Sequence, residues 1–250
     1  MRTAPIDIGS RTVKLVTIEG KQVINSFLTD TTHDPLEQCK KLLEQTSFDR
    51  ILATGYGRHF FETHFEVPTV TEIKAFARGA KTLFPSCRTI LDIGGQDTKT
   101  IALDEKGNVS KFEMNDRCAA GTEMFLEIIA KTLGYDLEEF GKEVLKTQAN
   151  IQINSICTVF AQSEVTSLLA RRQKREDIAR GIHMAILNRT LSLMKRVSTI
   201  PDIVFAGGVA RNSCLRFLLG DALGEMITVP PNPQLIGAYG AALIAQEQKG

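Results

Sequence analysis

Two octets, Asp7-Ile8-Gly9-Ser10-Arg11-Thr12-Val13-Lys14 and Asp92-Ile93-Gly94-Gly95-Gln96-Asp97-Thr98-Lys99, align without gaps at one constant offset, with Asp, Ile, Gly and Lys coinciding. In each, an Asp closes an apolar stretch, a Gly follows, and small polar residues lead into the next stretch. Such a turn suits phosphate chemistry. Glycine lets backbone N–H groups come close to phosphate oxygens, and Ser10, Thr12 and Thr98 add hydroxyl donors. Asp7 or Asp97 could hold magnesium, which keeps several waters and needs few carboxylates. A third piece, Phe205-Ala206-Gly207-Gly208-Val209-Ala210-Arg211-Asn212, is an apolar run that ends in two glycines and leads into a helix. Gly207 and Gly208 would let the backbone lie against the flat face of an adenosine. Turns favour Asp and Gly for their own reasons, so the specificity lies in the order of the three pieces. There is no P-loop pattern and no G-x-G-x-x-G after a strand, which disfavours Walker-type and Rossmann sites.

The second chemistry is thiol chemistry. Five cysteines, at positions 39, 87, 118, 157 and 214, are an odd number at wide spacing, which argues against a disulfide framework. Cys118 (in Asn115-Asp116-Arg117-Cys118) and Cys157 (in Asn154-Ser155-Ile156-Cys157) each precede a helical pattern. A helix N-terminus stabilises a thiolate or an anionic cluster. An isolated cysteine among Ala, Ile, Val and Phe is more often a small buried side chain, and that reading is taken for Cys39, Cys87 and Cys214. It stays open for the other two. A 4Fe–4S cluster needs four thiolates, and without a C-x-x-C one chain offers two candidates; a two-fold dimer would bring four together.

The elements that must position these residues read as a repeat. Residues 4–8, 13–18 and 23–28 alternate as strands, and a helix is expected over 35–44. The same order returns with strands over 90–93, 98–103 and 109–114, and Phe27 reaches Phe112 at the octets' offset. Helices are expected over 119–133, 137–147, 158–171 and 177–197, then a strand over 203–206 and a last helix near 235–246. With 43% hydrophobic and 24% charged residues and a net charge of +1, nothing favours nucleic acid or an anionic membrane. No apolar run reaches membrane-spanning length and the first nine residues lack leader character, so a cytoplasmic location is expected. The run Arg171-Arg172-Gln173-Lys174-Arg175 reads as a solvated helix end, and His33, His59, His64 and His183 show no ligand spacing.

The two hairpins followed by the Gly-Gly turn resemble the superfamily of sugar kinases, heat-shock chaperones and actin. That resemblance implies an α/β fold of two ribonuclease-H-like domains closing on a nucleotide cleft. The boundaries expected are 1–86, joined by the C-terminal helix 234–250, and 87–233. More narrowly, the chain resembles the activators of 2-hydroxyacyl-CoA dehydratases and the ATPase subunits of benzoyl-CoA reductase. The matching stretches are the octets, Ala53-Thr54-Gly55-Tyr56-Gly57-Arg58, residues 115–122, Cys157-Thr158-Val159-Phe160-Ala161, Ser163-Glu164-Val165, Gly207-Gly208-Val209 and residues 237–243.

This resemblance implies an ATPase that donates one electron at a time to a cysteine-rich iron–sulfur partner and is itself recharged by an upstream donor such as ferredoxin or flavodoxin. Cys118 and Cys157 would hold one 4Fe–4S cluster per homodimer, and ATP binding would open the angle between the cluster helices. ATP or ADP with Mg²⁺ would meet Gly9, Ser10, Arg11, Thr12, Lys14, Gly94, Gly95, Gln96, Asp97, Thr98, Gly121, Glu123, Gly207, Gly208 and Val209. Asp7, Gln96 and Asp97 would position magnesium or water. Three departures from the family pattern stand out: Ala75-Phe76 for Cys-His, Glu123 for Gly, and Gln162 for Glu. A small-molecule kinase of the same fold, or a nucleotide-binding regulatory module without redox chemistry, are the competing readings.

Overall fold

The computed structural model describes residues 1–115, 118–149, 151–153 and 157–248. Asp116 and Arg117 of the first cysteine motif, and Asn154, Ser155 and Ile156 of the second, lie outside the described residues. In chain order the elements are β1 (Arg2–Thr3), β2 (Ile6–Ile8), β3 (Thr12–Glu19), β4 (Gln22–Asp30), α1 (Pro35–Leu43), β5 (Ala53–Thr54), α2 (Arg58–Phe65) and α3 (Glu72–Leu83). There follow β6 (Thr89–Ile93), β7 (Thr98–Leu103), β8 (Val109–Asn115), α4 (Glu123–Leu133), α5 (Leu137–Val144), α6 (Thr158–Ala170) and α7 (Arg175–Val197). The chain closes with β9 (Ile203–Ala206), α8 (Ser213–Leu223) and α9 (Ile236–Glu247). The expected elements do not include α2 or α3. The first is a short aromatic-rich helix; the second carries Ile73, Phe76, Ala77 and Ala80 at helical spacing, a signal that the expected elements leave out.

The repeat is present in the backbone. In both sheets a central antiparallel hairpin pairs with a third antiparallel strand on one side and a parallel strand on the other: β4-β3-β2-β5 in the first and β8-β7-β6-β9 in the second. Asp7 lies opposite Lys14 and Asp92 opposite Lys99 in register. Each turn closes through the same bond: the Gly9 N–H donates to the Thr12 carbonyl at 3.0 Å, and the Gly94 N–H to the Asp97 carbonyl at 3.0 Å. The match of Phe27 with Phe112 is a coincidence of sequence. Phe27 opposes Leu15, but Phe112 opposes Ile101, one residue out of step with the repeat. Because side chains alternate between faces, Phe27 packs against the first core while Phe112 is 50% exposed.

Layering follows from the same alternation. Ile6, Ile8, Val13 and Leu15 turn one face of the first sheet toward Leu42 and Phe61 of α1 and α2, and Val16 and Ile18 turn the other toward α9. The second sheet presents Ile90, Ile101 and Val204 to α3, and Leu91, Ile93 and Phe205 to the large core under α4, α5, α7 and α8. The central layer is α3 crossing α9. The crossing is close because glycine stands at it on both sides: a Cβ on Gly79 would come within 2.4 Å of the Ile236 carbonyl oxygen, and one on Gly240 within 1.8 Å of that of Ala75. Gly240→Ala is therefore expected to force these helices apart and cost about 1–3 kcal/mol of stability, read by urea unfolding; an unchanged midpoint would show that the layer can give.

Candidate functional site

The octets face each other across a cleft between the sheets. Among the described residues it is lined by Asp7, Gly9, Ser10, Arg11, Thr12 and Lys14 from one side and Asp92, Gly94, Gly95, Gln96, Asp97 and Lys99 from the other. Glu123, Gly207 and Gly208, together with Tyr56, Glu72, Phe76 and Gln234, complete it. Two glycine turns stand in matching places. Gly55, after β5, and Gly207, after β9, take φ values of +93° and +83°. A Cβ on either would fall within 2.7 Å of a carboxylate oxygen, of Asp7 or of Asp92.

Three expected contacts lie elsewhere. Thr98 and Gly121 line a separate cavity of about 540 Å³ between β8 and α7, because Lys99 faces the cleft and alternation turns Thr98 away. Val209 is buried in the second core and borders a cavity of about 350 Å³ that adjoins the cleft at Glu123 and Gly208.

The floor of the cleft is electrostatic. Lys14 Nζ lies 3.2 Å from Asp7 Oδ2. Lys99, fully buried, reaches Asp92 at 3.2 Å, Asp97 at 2.6 Å and Glu72 at 3.7 Å. Burial works against the charge on Lys99, but its three carboxylate neighbours outweigh that and raise its pKa. Burial pushes the Glu72 carboxyl up to about 7; Lys99 draws it down, and Asp7, Asp97 and Asp92 add to the rise. Asp97 is thus committed to Lys99, whereas Asp7 keeps one oxygen, Oδ1, buried and without a hydrogen-bond partner. Sequence reasoning missed Glu72 and Gln234, which no local pattern marks as site residues. Asp92 is also absent from that list, although the octet alignment pairs it with Asp7.

The link from the cleft to the thiols is a set of backbone bonds. The Glu123 and Met124 N–H groups donate to the Gly94 and Gly95 carbonyls at 3.0 and 3.2 Å, and the Thr122 hydroxyl donates to the Gly95 carbonyl at 2.9 Å. Arg11, from the opposite turn, reaches Glu127 of α4 at 2.9 Å. Helix α4 consequently starts at Glu123, capped at Thr122, and Cys118 sits ahead of it in a turn containing Gly121 at φ +92°, not at the helix start expected from the sequence. Cys157 is itself the cap residue of α6, and its side chain makes no capping hydrogen bond. Gln162 of α6 donates to Thr132 of α4 at 3.4 Å.

Cys118 is half-buried and Cys157 exposed, whereas Cys39, Cys87 and Cys214 are buried, with burial pushing their thiols up to about 12, 11 and 12. His183, buried against Phe140 and bonded to the Ala179 carbonyl, has its pKa lowered by burial to about 4 and serves packing.

The profile of the BadF/BadG/BcrA/BcrD ATPase family matches residues 6–245. The chain belongs to that family. It is 39% identical to the 2-hydroxyisocaproyl-CoA dehydratase activator of Clostridioides difficile, over 99% of this chain and 96% of that protein. The crystal structure of component A of (R)-2-hydroxyglutaryl-CoA dehydratase from Acidaminococcus fermentans superposes with a TM-score of 0.89 at 35% identity, covering 99% of this chain and 98% of that one. The activator from Clostridium difficile with bound ADPNP superposes with a TM-score of 0.88 at 38% identity, covering 100% and 99%. The fold is accordingly the α/β, two-domain actin-like ATPase fold. Among the described residues no helix is long and apolar enough to cross a membrane.

Removing the shared cation tests the electrostatic floor. Lys99→Met strands three carboxyls and is expected to cost about 3–5 kcal/mol at neutral pH. Stranded carboxyls have raised pKa values, so their folded form is best tolerated at low pH and the loss grows as pH rises. Urea unfolding should therefore show a smaller deficit at pH 5 than at pH 8; a pH-independent deficit would contradict this account.

Proposed function

We propose that this chain is an ATP-dependent activator that works as a homodimer, holds one 4Fe–4S cluster through Cys118 and Cys157 of each copy, and passes single electrons to a cysteine-rich iron–sulfur enzyme. The observation that carries this reading is the unbroken connection from the Gly94-Gly95 turn through Thr122 and Glu123 to the loop of Cys118. Family membership supports the ATPase part, and ADPNP in a structural relative supports an adenine nucleotide in the cleft. In the companion reading the electron arrives from a donor such as ferredoxin or flavodoxin, and the moving bodies are 1–86 with 234–250 against 87–233. A kinase would leave the paired cysteines without a role.

The residues fit the groups this function requires. The buried, unpartnered Oδ1 of Asp7, among more carboxylates than lysines, suits a hydrated magnesium ion brought with the phosphates. Cys118 and Cys157 are the two thiols that burial does not withdraw, and two per chain call for a second copy. Exposed Val159 and Phe160 beside Cys157, at 66% and 68%, suit burial by that copy. A cluster bound there would supply one low-potential electron at a time.

Nucleotide spanning both turns would favour the closed cleft, and only such differential affinity for two shapes can do mechanical work. Gly94 and Gly95 would carry the movement to α4 and the Cys118 loop, while Arg11 and Glu127 tie the opposite turn to the same helix. Asp7 would orient magnesium and Glu72 would accept the proton of the water that attacks the γ-phosphorus as the bond to ADP breaks. The second role suits a carboxyl raised to about 7.

Anaerobic purification with iron, sulfide and mass determined together should give about four irons per dimer. Cys118→Ala or Cys157→Ala should abolish the iron while leaving ADP affinity unchanged; iron-free wild type after reconstitution overturns the redox reading. Glu72→Gln should lower ATP hydrolysis by about 10²–10⁴-fold. Wild-type phosphate release should rise with pH as Glu72 loses its proton, and the variant should lack that limb.

A further inference from the structure

Where the phosphate cleft meets the adjoining cavity of about 350 Å³, Glu123 borders both. Its carboxyl group lies against Gly208, so close that a Cβ there would stand 1.7 Å from Oε1. Gln234 donates from Nε2 to that Oε1 at 3.4 Å. Gln234 is itself buried, lines the cleft, and its carbonyl Oε1 has no hydrogen-bond partner. The junction therefore offers acceptors: a carboxylate with one oxygen engaged by a single long bond, and an amide carbonyl with none. A buried acceptor left unmet costs free energy, so whatever occupies this junction should bring hydrogen-bond donors.

A phosphate oxygen is itself an acceptor and brings none. The phosphate end must then be the glycine turns, with Lys14 and Arg11, and the junction must receive the part of the ligand between phosphates and base. In a ribonucleotide that part is the sugar, whose 2′ and 3′ hydroxyls are adjacent donors. We infer that Glu123 and Gln234 form an acceptor pair that reads the ribose diol and makes the site selective for ribonucleotides over deoxyribonucleotides. Glu123 is suited to this by position: its backbone N–H is bonded to the Gly94 carbonyl, so its side chain starts from the phosphate turn and reaches across Gly208 toward the second cavity. The inference rests on the proposed binding of an adenine nucleotide in the cleft.

Calorimetric titration of the intact dimer with ADP, 2′-deoxy-ADP and 3′-deoxy-ADP in the presence of magnesium separates the possibilities. A hydrogen bond to a charged acceptor predicts that wild type binds ADP about 10-fold or more tightly than either deoxy form. Glu123→Gly should compress that ratio to about threefold or less, chiefly by weakening ADP. Glu123→Gln keeps the shape and one acceptor, and should leave an intermediate ratio. A ratio near one in wild type overturns the inference and leaves the nucleotide reading standing. A ratio unchanged in Glu123→Gly, or a variant that binds all three ligands tighter by one factor, overturns it too, the latter marking a side chain that only fills the junction. Wild type that binds none of the three removes the nucleotide reading and this inference together.

Discussion

Four carboxyl groups, Asp7, Glu72, Asp92 and Asp97, share two lysines at the floor of the cleft, and the geometry of the molecule is arranged around that imbalance. Buried charge is tolerable only when it is paired and hydrogen-bonded, which is why each lysine stands directly across a hairpin from an aspartate. One hairpin achieves near balance, with a single lysine on a single aspartate. The other does not: Lys99 serves three acids, one brought from the start of α3. The surplus of carboxylate over lysine leaves Asp7 Oδ1 buried without a hydrogen-bond partner, and burial raises the Glu72 carboxyl.

The central layer makes that imbalance possible. Helix α3 can deliver Glu72 to the cleft only because α3 and α9 cross at Gly79 and Gly240, which lets backbone lie against backbone. With α3 packed on the second sheet and α9 on the first, the crossing joins the two sheets through one packed layer. The rest of the connection is short. Three residues separate Cys118 from Thr122, the cap of α4, and that cap is bonded to the carbonyl of Gly95, so the Cys118 loop is tied closely to the Gly94-Gly95 turn.

Reading the chain before its structure recovered the duplicated hairpins almost to their ends, because strand alternation and glycine turns are local signals. It also separated Cys118 and Cys157 from the other cysteines on their flanking patterns, and the burial of Cys39, Cys87 and Cys214 agrees with the separation. It went astray where a decision depended on a shift of one residue. Thr98 looked like a hydroxyl donor to phosphate and Phe112 like the partner of Phe27, yet alternation puts each on the wrong face. The helix expected from residue 119 starts at 123, since Thr122 and Glu123 bond to the phosphate turn first.

What the amino-acid order determined by itself is the pair of Asp-Gly turns with their facing lysines, the Gly-Gly turn after β9 and a cysteine at the mouth of α6. Each of these follows from neighbours within a few residues. What only the tertiary structure decided is which acids share Lys99, which oxygen of Asp7 is left over, and that Glu72, Glu123 and Gln234, far apart in the chain, line one cleft. Those outcomes depend on the close crossing of two helices and on the face each side chain takes. Both are set by long-range packing, which no stretch of the sequence encodes locally.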